Sequence, residues 1–263
     1  MNITKTDYHM HTNFSPDAHD TPEAMCWRAV ELGLTAVAFT EHAEWHPDYA
    51  YYGFPQPEAY FARIRECQIE FAPYGLTVLT GAEIGNPHEY AAETADLLAT
   101  YSFDIKIASL HWLHGLNIHH PGCFANRDPQ EVYADYFREL KQLTAVPNIS
   151  FIAHFDRILW RGMLMGHAPD LYQLEPIVKD TLAAIAQSGI GLELNSHRLG
   201  SQHHWHESLV AMLAWYREAG GRNILVNSDA HCTQQITANW EIAAHLLALA
   251  GFESREEAAA LAL

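Results

Sequence analysis

The sequence predicts an α/β fold: seven strand–helix units wrapped into a closed or nearly closed barrel. Three observations carry this expectation. Short apolar, β-branched runs alternate with amphipathic helical stretches about seven times, the pattern of a parallel sheet covered by helices. The length of 263 residues suits one α/β barrel, a class that reaches about 250 residues as a single domain. Chemically active side chains also fall where strands end, and in such barrels the C-terminal strand ends converge on one face.

The strands are expected at 3–9 (ITKTDYH), 35–40 (TAVAFT), 77–82 (TVLTGA), 104–109 (DIKIAS), 149–153 (ISFIA), 190–194 (IGLEL) and 224–227 (ILVN). The clearest helix follows the first strand in TPEAMCWRAVELG, where Thr21 caps, Pro22 suits the first turn and Gly33 closes the C-terminus. Further helices are expected near 57–72, 88–100, 129–143, 170–188, 202–219 and 236–250. The longest non-periodic pieces, 43–56 and 112–128, each follow a strand directly. No low-complexity tract or long linker interrupts the pattern, so residues 1–263 read as one domain.

A composition of 49% hydrophobic and 18% charged residues is ordinary for a globular protein. The formal charge of −17 repels phosphate backbones and anionic membranes, so neither nucleic acid nor a membrane is an expected partner. No window holds eighteen consecutive apolar residues, so no membrane span is expected. The start, MNITKTDYHMH, lacks the apolar core of a signal peptide. Cys26, Cys67, Cys123 and Cys232 form no C-x-x-C pair and read as reduced thiols of a cytoplasmic protein.

Histidine is the anomaly: 18 of them outnumber the 15 lysines and arginines together. In DYHMHTNFSPD, strand periodicity would set Asp7, His9 and His11 on one face. The second strand ends in TEH (His42), the third in GAEI (Glu83), the fourth in SLHW (His111), the fifth in AHFD (His154) and the seventh in SDAH (Asp229, His231). Six of the seven expected strands thus deliver His, Asp or Glu to one rim, more than coincidence supplies. With Asp17 from the first loop there are nine candidate metal ligands: His9, His11, Asp17, His42, Glu83, His111, His154, Asp229 and His231. A zinc ion takes roughly four ligands, and manganese or iron up to about six, so this set suits two or three ions, the more so if Glu83 bridges. Imidazole with carboxylate fits divalent zinc, manganese or iron.

These motifs, in this order and over nearly the whole chain, resemble the PHP (polymerase and histidinol phosphatase) metal-dependent phosphoesterases. Within that family they are most similar to the bacterial histidinol-phosphatase branch, with its H-x-H-x-x-x-S-P-[DH] start, long loop after TEH, and arginine soon after the fifth-strand histidine. The resemblance implies a distorted (β/α)7 TIM-like barrel with a trinuclear centre. One ion would take His9, His11, Glu83 and Asp229. A second would share Glu83 and add His111 and His154, and a third would take Asp17, His42 and His231, with His19 and Asp20 as near alternatives to Asp17. Asp7 would orient a ligand imidazole.

The implied reaction is hydrolysis of a small phosphate monoester, L-histidinol phosphate first among candidates. Metal-bound water, its pKa lowered from about 15.7 towards ~7, would supply hydroxide. Glu83, Asp229 and His231 are the candidate catalytic residues, the last two also handling protons. Arginine suits phosphate because its fork donates two parallel hydrogen bonds. Of Arg127, Arg157, Arg161 and Arg198, which follow strands on the active rim, Arg157 and Arg198 resemble the phosphate-gripping pair of that branch. Asn195 would contact substrate or tie down its loop.

The segment SQHHWHES departs from the branch's pattern; His203 and His206, three apart at a helix start, would share a face near the pocket mouth. His114, His119 and His120, in LHGLNIHHPG, read as loop with an auxiliary role as the alternative, and His46, with Trp45 and an aromatic run, reads as simple packing or part of a substrate lid. Three rivals remain: a PHP phosphatase or phosphodiesterase acting on a small nucleotide or sugar phosphate, an amidohydrolase, and a metal-binding module without activity. Amidohydrolases commonly bridge two metals with a modified lysine. Here Lys106 lies inside a strand and Glu83 stands where the bridge is wanted, which favours phosphoester chemistry.

Overall fold

The computed structural model describes residues 5–200 and 205–252. Seven parallel strands form one sheet: β1 (Thr6–Met10), β2 (Ala36–Ala43), β3 (Thr77–Gly85), β4 (Ile105–Ser109), β7 (Phe151–Ile152), β8 (Gly191–Asn195) and β9 (Ile224–Asn227), neighbours in that order. A small antiparallel hairpin, β5 (Trp112–Leu113) with β6 (Leu116–Asn117), rises from the loop after β4. Residues 3 and 4 of the first expected strand lie outside the described residues.

Helices α1 (Pro22–Glu31), α2 (Pro57–Phe71), α3 (Ala91–Thr100), α4 (Pro129–Gln142), α6 (Leu171–Ser188), α7 (His206–Glu218) and α8 (Trp240–Leu249) match the expected ones. Thr21 caps α1 by accepting from the Ala24 N–H, with Pro22 in the first turn. Helix α5 (Arg157–Leu164) was not foreseen, because eight residues containing Gly162 offer too little periodicity to read. No helix among the described residues is long and apolar enough to cross a membrane.

The first and last strands meet without a regular ladder, which distorts the barrel. His11 N–H donates to the Ala230 carbonyl (2.8 Å), and the Asn227 side chain accepts from Tyr8 N–H (2.9 Å) where a backbone carbonyl would ordinarily serve. A bulge in β1 adds to this. Asp7 pairs with Val37 but Met10 with Phe39, so β1 spends three steps against two on β2. That extra residue breaks the expected single face of Asp7, His9 and His11. Asp7 keeps the phase of Val37, which packs outward, while His9 and His11 face the barrel axis.

Apolar side chains line the lower barrel: Ala36, Ala38, Ile105, Ile107 and Ala153 pack around Phe151 and Leu225. Their outward-facing neighbours Val37, Phe39, Val78 and Ile84 meet the helices. Helix α2 is fastened to the sheet by fully buried Tyr60, whose hydroxyl donates to the Phe39 carbonyl (2.6 Å) and accepts from Gly81 N–H (2.7 Å). Tyr60→Phe strands both backbone groups and should cost about 2 kcal/mol, lowering the melting temperature by roughly 4–8 °C. A thermal melt checks this, and an unchanged melting temperature would mean the fastening is dispensable.

Candidate metal centre

The strand ends bring every one of the nine candidate ligands to one cleft at the C-terminal rim. On one side, the Nε2 atoms of His9 and His11 each lie 3.4 Å from Glu83 Oε2, and 3.5 and 3.3 Å from Asp229 Oδ1. Next to them, Glu83 Oε1 stands 3.2 Å from His111 Nε2 and 2.9 Å from His154 Nε2, with those nitrogens 3.4 Å apart. Nearest solvent, Asp17 Oδ2 lies 3.4 Å from His42 Nε2 and 3.3 Å from His231 Nε2. Glu83 is common to the first two groups, one oxygen to each. Asp17 reaches the imidazoles, whereas Asp20 is spent accepting from the Thr233 N–H.

Two of these residues hold strained backbones. His154 (φ +28°) and Asp229 (φ +51°) lie in the left-handed region, which costs a non-glycine residue about 1–3 kcal/mol unless neighbours enforce it. They do: Glu193 accepts from the His154 N–H (2.9 Å), and Arg157 donates to Asp229 Oδ2 (2.6 Å).

The donor set fits divalent ions. Ligands at 2.0–2.1 Å around a tetrahedral zinc stand about 3.3–3.4 Å apart, the spacing of the first group. His9 Nε2, His11 Nε2, His42 Nδ1 and Glu83 Oε2 are buried and face one another, His42 Nδ1 at 2.9 Å from Glu83 Oε2 and the other two nitrogens at 3.4 Å, and a shared cation would satisfy all four at once.

Four of the six imidazoles, those of His9, His11, His111 and His231, have their opposite nitrogen held in place, as metal-binding histidines require. His9 Nδ1 meets Glu193 Oε1 at 2.8 Å, and His231 Nδ1 meets the Asp229 carbonyl at 2.8 Å. His11 Nδ1 meets Ser15 Oγ at 3.4 Å, and Ser15 in turn donates to Glu41 (2.5 Å). His111 Nδ1 bonds to Glu44, which also accepts from Trp112 Nε1 (3.1 Å).

The role expected of Asp7 thus belongs to Glu193. Asp7, put out of phase by the bulge, accepts from the backbone N–H groups of Ser228 and His9. Glu193, Glu41 and Glu44 escaped the sequence reading, although acidic residues inside otherwise apolar strands were a usable signal. Glu44 has room only because residue 85 is glycine: a Cβ there would collide with its carboxylate. Gly85→Ala should push Glu44 off His111 and lower kcat/KM roughly 10–100-fold with a near-native melt. Kinetics with metal analysis test this, and wild-type values for both would remove Glu44 from the support of the centre.

The electrostatics describe a site held together by protons where cations belong. Burial raises carboxylate pKa values, yet the imidazoles of His9, His111 and His42 hold Glu83 well below its usual range. Asp229 is likewise held low against burial, by His9, His11 and Arg157. Burial lowers His11 to about 3, helped by His42 and His231, and lowers His154 to about 4, helped by Arg157. Against the same burial, Glu193 and Glu83 keep His9 well above its usual value, and Glu44 and Glu83 raise His111 to about 9.

Around the cleft, Arg157 donates from one nitrogen to Asp229 and from the other to His119 Nε2 (3.1 Å). His119 thereby reaches the site from the hairpin loop. Asn195 directs its amide to Asp229 (3.1 Å) and Glu193 (3.3 Å), so it ties the site together. Arg198 lies over the Trp160 ring at 4.6 Å, in a recess adjoining Arg157. Arg127 and Arg161 line neither space. The loop after β2 is pinned by paired hydrogen bonds between Glu44 and Gly53 and sets Tyr49 on the cleft wall, while His46 stacks on Trp112 (3.6 Å). His203 lies outside the described residues, and His206 bonds to the Leu199 carbonyl (3.0 Å). Lys106 is engaged with the Phe103 carbonyl, away from the centre. The cleft holds about 110 Å³. A larger cavity of about 560 Å³ beside α3 is mainly apolar and contains none of the nine residues, so donor chemistry rather than size marks the site.

The model of the PHP domain matches residues 7–197, nearly three quarters of the chain. The chain belongs to the PHP domain family. A histidinol-phosphatase of Lactococcus lactis is 25% identical over 252 residues, covering 95% of this chain and 93% of the relative. A protein of Clostridium acetobutylicum named probable histidinol-phosphatase is 27% identical over 239 residues, 89% of each. Among solved structures, the Lactococcus lactis histidinol phosphate phosphatase, complexed with zinc, L-histidinol and phosphate, superposes with a TM-score of 0.84 at 22% identity, over 96% of this chain and 95% of that one. The PHP barrel and its TIM-like closure are therefore shared along the whole described chain.

Proposed function

We propose that this protein hydrolyses L-histidinol phosphate to L-histidinol and inorganic phosphate at a centre of two or three divalent ions. One observation carries the reading: buried nitrogen and oxygen atoms of His9, His11, His42 and Glu83 converge on one another, with Asp229 among them and Arg157 at the edge. The names of the two relatives supply the substrate. His9, His11, Glu83 and Asp229 would hold one ion, Glu83, His111 and His154 a second, and Asp17, His42 and His231 a third. Zinc is the first candidate, and manganese and iron suit the same donors.

Bound there, such ions neutralise phosphate charge and make water acidic enough to furnish a nucleophile at neutral pH. The chain's own groups do the rest. Glu83 offers one oxygen to each of two ligand groups and so sets their separation. Asp229 Oδ1, amid the imidazoles, is placed to accept the proton of the attacking water, and its other oxygen anchors Arg157. The fork of Arg157 retains N–H groups to grip phosphate, with Arg198 beside it. His231, on the open side of the cleft, is placed to return a proton to the departing alkoxide. The free thiols of Cys26, Cys67, Cys123 and Cys232 support a reducing, cytoplasmic setting.

The test is phosphate release from L-histidinol phosphate by zinc- or manganese-loaded protein, beside a nucleoside monophosphate and a sugar phosphate. Selective turnover in the enzymatic range of roughly 1–10³ per second supports the proposal. Equal rates on all three would keep the chemistry and discard the substrate. No cleavage by metal-loaded protein would sink it.

A further inference from the structure

Behind Arg157 the cleft continues into a recess walled by Asp156, Trp160, Asn195, Arg198 and Trp205, and His154 and Arg157 line both spaces. We infer that Asp156 is a specificity-determining residue that binds a positive charge on the alcohol half of the substrate, so that the site selects phosphate esters of amino alcohols. The inference rests on the phosphatase reading above and deepens it.

Asp156 is only 3% exposed, yet among the described residues its carboxylate has no ion-pair partner and accepts no hydrogen bond from another residue. It occupies the N-cap position of α5, where an aspartate ordinarily accepts from the N–H groups of the first turn, and it caps none of them. Its sequence neighbour Arg157 is engaged with Asp229 and His119 instead. A carboxylate kept at such depth is costly, and Arg157, committed to Asp229 and His119, eases it without pairing with it, so a cation brought by a ligand would complete the site.

The surroundings narrow the ligand. Consecutive residues present opposite charges to one continuous space: Arg157 suits a phosphate and Asp156 an ammonium. That pairing matches a molecule whose amine and phosphate ester sit on neighbouring carbons. The recess holds only about 10 Å³, room for a group the size of an ammonium, and the buried indoles of Trp160 and Trp205 close its walls. L-Histidinol phosphate has both features, and phosphate esters of uncharged alcohols lack the ammonium.

The experiment compares kcat/KM for L-histidinol phosphate and for its deamino analogue, 3-(imidazol-4-yl)propyl phosphate, in metal-loaded wild type and in Asp156→Asn. The expected result is that the preference for the amino ester shrinks roughly 10–100-fold in the variant, the scale of one lost charged hydrogen bond. An unchanged preference overturns the inference, as does an equal loss on both esters, which would mark Asp156 as merely structural. Wild type that cleaves both esters equally well also overturns it, while leaving the phosphatase reading intact. If wild type cleaves neither, that reading fails and takes the inference with it. Should Asp156→Asn not fold, wild type crystallised with L-histidinol and phosphate decides. An ammonium nitrogen within about 3.2 Å of the Asp156 carboxylate supports the assignment, and one turned away from it refutes it.

Discussion

Replacing Glu83 with alanine should lower kcat/KM for L-histidinol phosphate by at least roughly 10³-fold and strip the protein of part of its metal. Glu83 is 1% exposed, with one oxygen facing His9, His11 and His42 and the other facing His111 and His154. Removing it takes a negative charge from both groups at once, and several kcal/mol of lost charge stabilisation corresponds to about three powers of ten in rate. Glu83→Gln keeps the shape and loses the charge, so it should fall nearly as far. Steady-state kinetics and metal analysis read both variants, with circular dichroism to check folding. Wild-type activity and metal content in Glu83→Ala would place the chemistry elsewhere.

Stripping the metals with a chelator should abolish activity and lower the melting temperature by roughly 10 °C, with recovery on adding zinc or manganese. Ligands that bind only the folded state stabilise it by about 4 kcal/mol when present at a thousand times their Kd, and a chain of this size loses about 2–4 °C per kcal/mol. The pH dependence has a definite sign. In the stripped protein His111 is raised to about 9, so it binds its proton more tightly folded than unfolded. The stability this contributes is fully present below the unfolded value of about 6.5 and is lost as pH rises through about 9. His9 and His42, also raised, act in the same direction. The stripped protein should therefore melt at lower temperature as pH rises from about 6.5 to 9. Metal binding must displace those protons, so the metal-induced gain in melting temperature should grow over the same interval. Melting curves with and without chelator at several pH values measure this. A gain that shrinks with pH would mean the histidines do not bind the ions.

Much of the barrel and of the site was legible in the order of residues, for a local reason. A strand buried between helices must be apolar, so its end shows as the point where a histidine or carboxylate interrupts the run. His42, Glu83, His111, His154 and Asp229 were found in that way. Reading failed where local pattern and three-dimensional position part company. The bulge in β1 turned Asp7 away from His9, and nothing in DYHMH announces the extra residue. Glu193, one strand from the end of the chain's sheet, supports His9 from 184 positions away, a pairing that exists only once the barrel closes. Glu44 depends on an absent side chain at Gly85.

By itself the sequence determined the βα repeat and the candidate residues at the strand ends, because those follow from periodicity and from which side chains interrupt it, while the order of its motifs carried the resemblance to the family. Only the tertiary structure decided the distances within the cluster, which partners fix the imidazoles, and that Asp156 lies buried beside Arg157 without an ion-pair partner among the described residues. Those properties are distances between strands that are remote in sequence. Burial gives them their energy, by removing the water that would otherwise satisfy each polar atom.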